Sequence, residues 1–159
     1  MADTIIGIAD LKITNREDDV LVTYSLGSCL GITGYDPLAK VGGLIHIMLP
    51  DSTIDVSPDK NLYKYVDTGI PQLFKECYKL GAVKQRMIVK IAGGAQIMDN
   101  NGFFNIGQRN LAAARKMLWK NNVLVSAEDV GGSISRTIRL YMTTGELQIS
   151  TGMQKVKMI

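Results

Sequence analysis

Two cysteines and a single histidine are the residues of this 159-residue chain best suited to covalent chemistry. Cys29 stands in Leu26-Gly27-Ser28-Cys29-Leu30-Gly31. Glycines on both sides let the chain turn sharply there and let a substrate approach the backbone. Backbone N–H groups at such a turn, with the Ser28 side chain as a helper, can stabilise an oxyanion. His46 lies in Gly43-Leu44-Ile45-His46-Ile47-Met48-Leu49, where nearly every neighbour is aliphatic. A histidine in so apolar a run must find hydrogen-bond partners or destabilise the fold. It is either a satisfied core residue or the base that faces a thiol. Thr23, on the segment leading into Cys29, can orient such a base through its hydroxyl or its carbonyl. Cys77 shares an apolar helical stripe with Ile70, Leu73, Phe74 and Tyr78, the ordinary setting of a buried thiol. If the pair is catalytic, Cys29 should be partly exposed with its pKa depressed by His46, and Cys77 shielded.

Other chemistries find little support. One histidine and two isolated cysteines offer no metal-ligand spacing. Ala92-Gly93-Gly94-Ala95 completes neither a P-loop nor a dinucleotide fingerprint. The net charge of +3 comes from 18 basic and 15 acidic residues that are interleaved, and aromatics are only 6%. That pattern argues against a nucleic-acid surface. No apolar run is long enough to span a bilayer, and the start lacks a signal-peptide layout. The expectation is a cytoplasmic protein whose two thiols stay reduced.

Positioning these residues requires a compact core, and 46% hydrophobic with 21% charged residues suits one globular domain over 1–159. Short β-branched runs predict strands over 5–13, 20–25, 30–35 and 41–49. A polar loop is predicted over 51–61. A helix ending near Lys79 should start just before Pro71 or kink there. A strand over 87–92, a helix over 106–120 with Asn105 as N-cap, and a strand over 123–128 follow. A hairpin of 136–142 with 146–151 closes the chain. Mostly antiparallel strands with two inserted helices indicate an α+β fold.

Val22-Thr23-Tyr24-Ser25-Leu26-Gly27-Ser28-Cys29, followed by Gly43-Leu44-Ile45-His46-Ile47-Met48-Leu49-Pro50, closely resembles the core motif of the CheD chemoreceptor glutamine deamidases. The similarity runs on through Lys90-Ile91-Ala92-Gly93-Gly94-Ala95, Asn105-Ile106-Gly107-Gln108-Arg109-Asn110 and Ala127-Glu128-Asp129-Val130-Gly131-Gly132. It departs at Ser133, where the family has Asn, and over Ser150-Thr151-Gly152-Met153-Gln154-Lys155. The resemblance implies a Cys29–His46–Thr23 triad and a single-domain three-layer α/β/β sandwich like that of deamidating bacterial toxins. It implies hydrolysis of glutamine side chains on chemotaxis receptors, without a cofactor, and a CheC-type phosphatase as partner. A non-catalytic adaptor for that phosphatase and a receptor methylesterase are the competing readings.

Overall fold

A computed structural model describes residues 2–97, 105–152 and 155–159. Met153 and Gln154, within the divergent C-terminal segment, lie outside the described residues. The elements run β1 (Ala2–Ile5), β2 (Leu11–Thr14), β3 (Asp19–Leu26), β4 (Leu30–Asp36), β5 (Val41–Ile47), α1 (Val66–Lys79), β6 (Ile88–Gly93), α2 (Ile106–Lys120), β7 (Val125–Val130), β8 (Arg136–Tyr141), β9 (Leu147–Thr151) and β10 (Lys155–Met158). They form two five-stranded sheets, β1-β3-β8-β9-β10 and β2-β5-β4-β6-β7. The β1–β3 and β6–β7 pairs are parallel and the others antiparallel. The fold is mixed α+β.

Two apolar clusters hold these elements. Ile45 and Ile47 of β5, with Ile32 and Ile91, meet Leu73, Phe74 and Cys77 of α1 and Leu111, Ala114 and Leu118 of α2. Leu44, one residue out of phase on β5, packs instead with Leu21, Leu26, Ile138, Leu140 and Ile149 of the other sheet. Strand side chains alternate between faces, so one strand serves both clusters. That is why β4 and β5 are buried along their whole lengths and read as continuous apolar runs.

Several elements differ from their sequence reading. The strand expected over 5–13 is two strands in different sheets. The chain turns between them at Ile8 and Ala9, and Ala9 adopts a left-handed conformation (φ 57°). The first helix begins at Val66 with Pro71 inside it, because its amino end is anchored from outside. Asp67 in the first turn accepts the Ser52 N–H (2.9 Å) and hydroxyl (2.7 Å), which also ties down the 51–61 loop. Asn105 does occupy the N-cap position of α2, in a left-handed conformation (φ 47°). β10, exposed along its length, has no counterpart in the sequence reading. Among the described residues no helix is long and apolar enough to cross a membrane.

Candidate active site

Gly27, Ser28 and Cys29 carry the chain from the end of β3 in one sheet to the start of β4 in the other. Each of their carbonyls is held. Gly27 O accepts from Ala95 N–H at 2.9 Å, Cys29 O from Gly94 N–H at 2.9 Å, and Ser28 O from Asn110 Nδ2 at 3.0 Å. Gly93 must be glycine, since it has φ +105° and any Cβ would collide with the Cys29 carbonyl. Just before the crossover, β3 shifts register between Thr23 and Leu26. Ser25, in a left-handed conformation (φ 57°), absorbs the extra residue. The bulge resets the alternation, so Thr23 and Leu26 both point inward and both are fully buried.

His46, on β5, stands directly across the ladder from Gly31 of β4. Cys29 lies two residues before Gly31, just outside β4, and packs against the apolar cluster between the sheets. A side chain at Gly31 would strike Ile138 and Leu26 of the facing sheet, so this space stays narrow.

From the opposite sheet, Thr23 Oγ1 sits 2.7 Å from His46 Nδ1 and donates to the Ile6 carbonyl at 2.8 Å. A hydroxyl has one proton, and the carbonyl can only accept. The Thr23 oxygen must therefore accept from Nδ1–H, which leaves Nε2 unprotonated. Nε2 is buried without a hydrogen-bond partner. It is a base whose orientation is fixed and whose lone pair is free.

Burial dominates the electrostatics. It pushes the Cys29 thiol above its ordinary value, with the residue's own backbone N–H pulling weakly the other way. It lowers His46 to about 4 and raises the fully buried Cys77 to about 12. Cys29 is partly exposed, as expected, but its expected depressed pKa is corrected: desolvation outweighs any help from a neutral imidazole. The resting pair is a neutral thiol and a neutral imidazole.

The histidine has a measurable consequence for stability. An unfolded chain takes up this proton near pH 6.5, whereas the folded protein resists it until about pH 4. Stability is therefore complete above pH 6.5 and falls as pH drops through that window, by on the order of 3 kcal/mol. Chemical denaturation at pH 7 and pH 4.5 measures this loss. It should largely vanish in His46→Gln, and an equal loss in that variant would refute the assignment.

Cys29 and Ser28 open onto a cavity of about 560 Å³, lined also by Ser25, Ile97, Ile106 and Ser135. None of the described residues that line it is charged. Among the described residues no cluster of three or more His, Cys, Asp or Glu is placed to hold a metal ion.

The structure joins Thr23 to His46 by a hydrogen bond between the sheets and sets Ser28 and Cys29 on the cavity at the crossover; among the described residues it draws no hydrogen bond between the two pairs. Sequence reasoning missed three supports. One is the Ile6 carbonyl. Another is Arg136, which is buried, pairs with Asp129 at 3.1 Å and donates to Gly131 O at 3.0 Å. The third is Asn110, whose signal was available: a carboxamide standing on the apolar stripe of Leu111, Ala114 and Leu118.

Residues 48–151 match a family model described as CheD chemotactic sensory transduction. A curated relative from Syntrophus aciditrophicus, named "Probable chemoreceptor glutamine deamidase CheD 1", is 53% identical over 152 residues, covering 95% of each chain. Another from Solibacter usitatus, named "Probable chemoreceptor glutamine deamidase CheD", is 46% identical over 157 residues, covering 98% of this chain and 93% of that one. Among solved structures, a Neisseria meningitidis protein of the DUF152 family aligns at 9% identity with a TM-score of 0.41, covering 81% of this chain and 62% of that one.

Proposed function

The chain belongs to the CheD family, and on that premise we propose that it hydrolyses selected glutamine side chains of chemotaxis receptors to glutamate, releasing ammonia. The observation that carries the mechanism is the Thr23–His46 hydrogen bond, which leaves Nε2 free as a base. In this reading His46 Nε2 takes the Cys29 proton as the sulfur attacks the carboxamide carbon. Starting from a neutral pair, the thiolate forms only as it is used. The imidazolium then delivers that proton to the departing nitrogen, the C–N bond breaks, and a thioester with ammonia results. Water, deprotonated by His46, opens the thioester to a carboxylate and returns the proton to sulfur. With the three crossover carbonyls tied down, the N–H groups of Ser28 and Cys29 are the donors we assign to the oxyanion. The Ser28 hydroxyl assists.

The same premise extends to architecture and partners. We read the two apolar clusters, one between helices and sheet and one between sheets, as a three-layer α/β/β sandwich like that of deamidating toxins. The whole of 1–159 then acts as one catalytic domain. The family resemblance supports a CheC-type phosphatase as partner, bound so that it covers the Cys29 cavity. Cytoplasmic receptor helices as substrate and two free thiols support a cytoplasmic location.

Incubation with purified receptor fragments carrying either glutamine or a glutamyl methyl ester tests the activity. Ammonia release and a mass gain of about 1 Da at particular glutamines is the expected outcome. Ester cleavage alone would assign a methylesterase, and no product from either would leave the adaptor reading.

A further inference from the structure

Asn110 is fully buried on α2 and has both of its amide hydrogens committed. Nδ2 donates to Ser28 O at 3.0 Å and to Met48 O at 2.9 Å. These carbonyls flank the two reactive residues: Ser28 immediately precedes Cys29, and Met48 follows His46 by two positions. The last rung of the β4–β5 ladder is Leu30↔Ile47. Beyond it the strands part, because β4 begins at the crossover while the Met48 N–H turns away to Lys64 O at 2.9 Å. The Asn110 carboxamide spans the gap where the next rung would stand.

Residue type follows from this geometry. Two acceptors on two strands need one small group with two N–H donors in a plane, which a carboxamide supplies and a carboxylate or hydroxyl does not. The reverse orientation would set oxygen against oxygen, so the amide has one sense. Oδ1 meanwhile has no hydrogen-bond partner. A buried acceptor left open is unfavourable, which a residue kept for packing alone would avoid.

We propose that Asn110 is a positioning residue that clamps the Ser28 and Met48 carbonyls and thereby sets Cys29 against His46. The inference rests on the deamidase reading for its turnover readout, and on the cysteine alone for its second. Asn110→Leu and Asn110→Asp preserve approximate volume and remove the paired donors. For each, kcat and KM on a receptor fragment, the pH dependence of Cys29 alkylation by iodoacetamide, and the thermal transition are measured beside wild type. A clamp predicts a kcat lowered 10- to 100-fold with KM within about threefold. It also predicts an alkylation profile near neutral pH that moves toward that of His46→Ala. A purely structural role would lower the transition temperature and leave both readouts unchanged in the folded protein, overturning the proposal. So would failure of both variants to fold, which would give Asn110 to the fold as a whole; if one folds, that one decides. Should wild type itself release no ammonia, the deamidase reading fails, while the alkylation profiles still judge Asn110.

Discussion

Cys29→Ala is expected to remove receptor deamidation entirely within assay sensitivity, and His46→Ala to lower it on the order of 10⁴-fold or more, since groups acting as a unit lose nearly everything together. The two should differ in stability. Cys29 is partly exposed, so losing its sulfur leaves little cavity and the thermal transition should move only slightly. His46 is 2% exposed, and truncation there opens a void between the sheets costing about 2–4 kcal/mol. Part of that is offset because the unpartnered Nε2 is removed, while Thr23 keeps its bond to Ile6. Activity and calorimetry on the same preparations separate chemistry from folding. Labelling adds an independent check: in native wild type, iodoacetamide should modify Cys29 and spare Cys77, which burial holds at about 12. Preferential labelling of Cys77, or a fully active Cys29→Ala, would sink the assignment.

Thr23→Val should lower turnover on the order of 10²-fold, short of the roughly 10⁴-fold lost when a charged orienting group is neutralised in a hydrolase triad. Valine matches threonine in shape but lacks the atom that accepts Nδ1–H and donates to Ile6 O. The ring is then free to carry its proton on Nε2, which is the form that cannot take one from sulfur. Two buried groups also lose their partner, at about 1–3 kcal/mol each, so the thermal transition should fall as well. Thr23→Ser keeps the oxygen and should restore most of the activity. Full activity in Thr23→Val would remove Thr23 from the triad and leave the Cys29–His46 pair standing.

The candidate residues Cys29 and His46 stand out because their surroundings are anomalous: a histidine among aliphatics and a cysteine between glycines are unusual in any strand-rich sequence. The second helix and the closing hairpin were legible from periodicity and turn residues. The first strand was misjudged because Ile5, Ile6, Ile8, Leu11 and Ile13 make 5–13 look like one apolar run, while the break at Gly7, Ala9 and Asp10, where Ala9 turns left-handed, went unweighed. The early start of the first helix depends on Ser52 reaching Asp67 across an intervening loop. The thiol's pKa was read with the wrong sign because proximity to a histidine was weighed and burial was not. Asn110 is marked in the sequence only as a carboxamide on an apolar helical stripe; what it holds is not, since its partners are backbone carbonyls, which are present at every residue.

The bond between Thr23 and His46 joins one sheet to the other, so on the proposed mechanism the spacing of the sheets is itself a kinetic variable. Leu21, Leu26, Leu44 and Ile138, all fully buried in the cluster between the sheets, set that spacing. On that mechanism, a conservative exchange among them that shifts His46 from Thr23 lowers turnover even where a stability assay scores it as harmless. Selection on turnover therefore acts on this layer of aliphatic side chains directly, whereas the layer beneath the helices is constrained chiefly by the need to fold. The first should drift more slowly than the second between lineages, and an engineer seeking a hardier enzyme has more freedom under the helices than between the sheets.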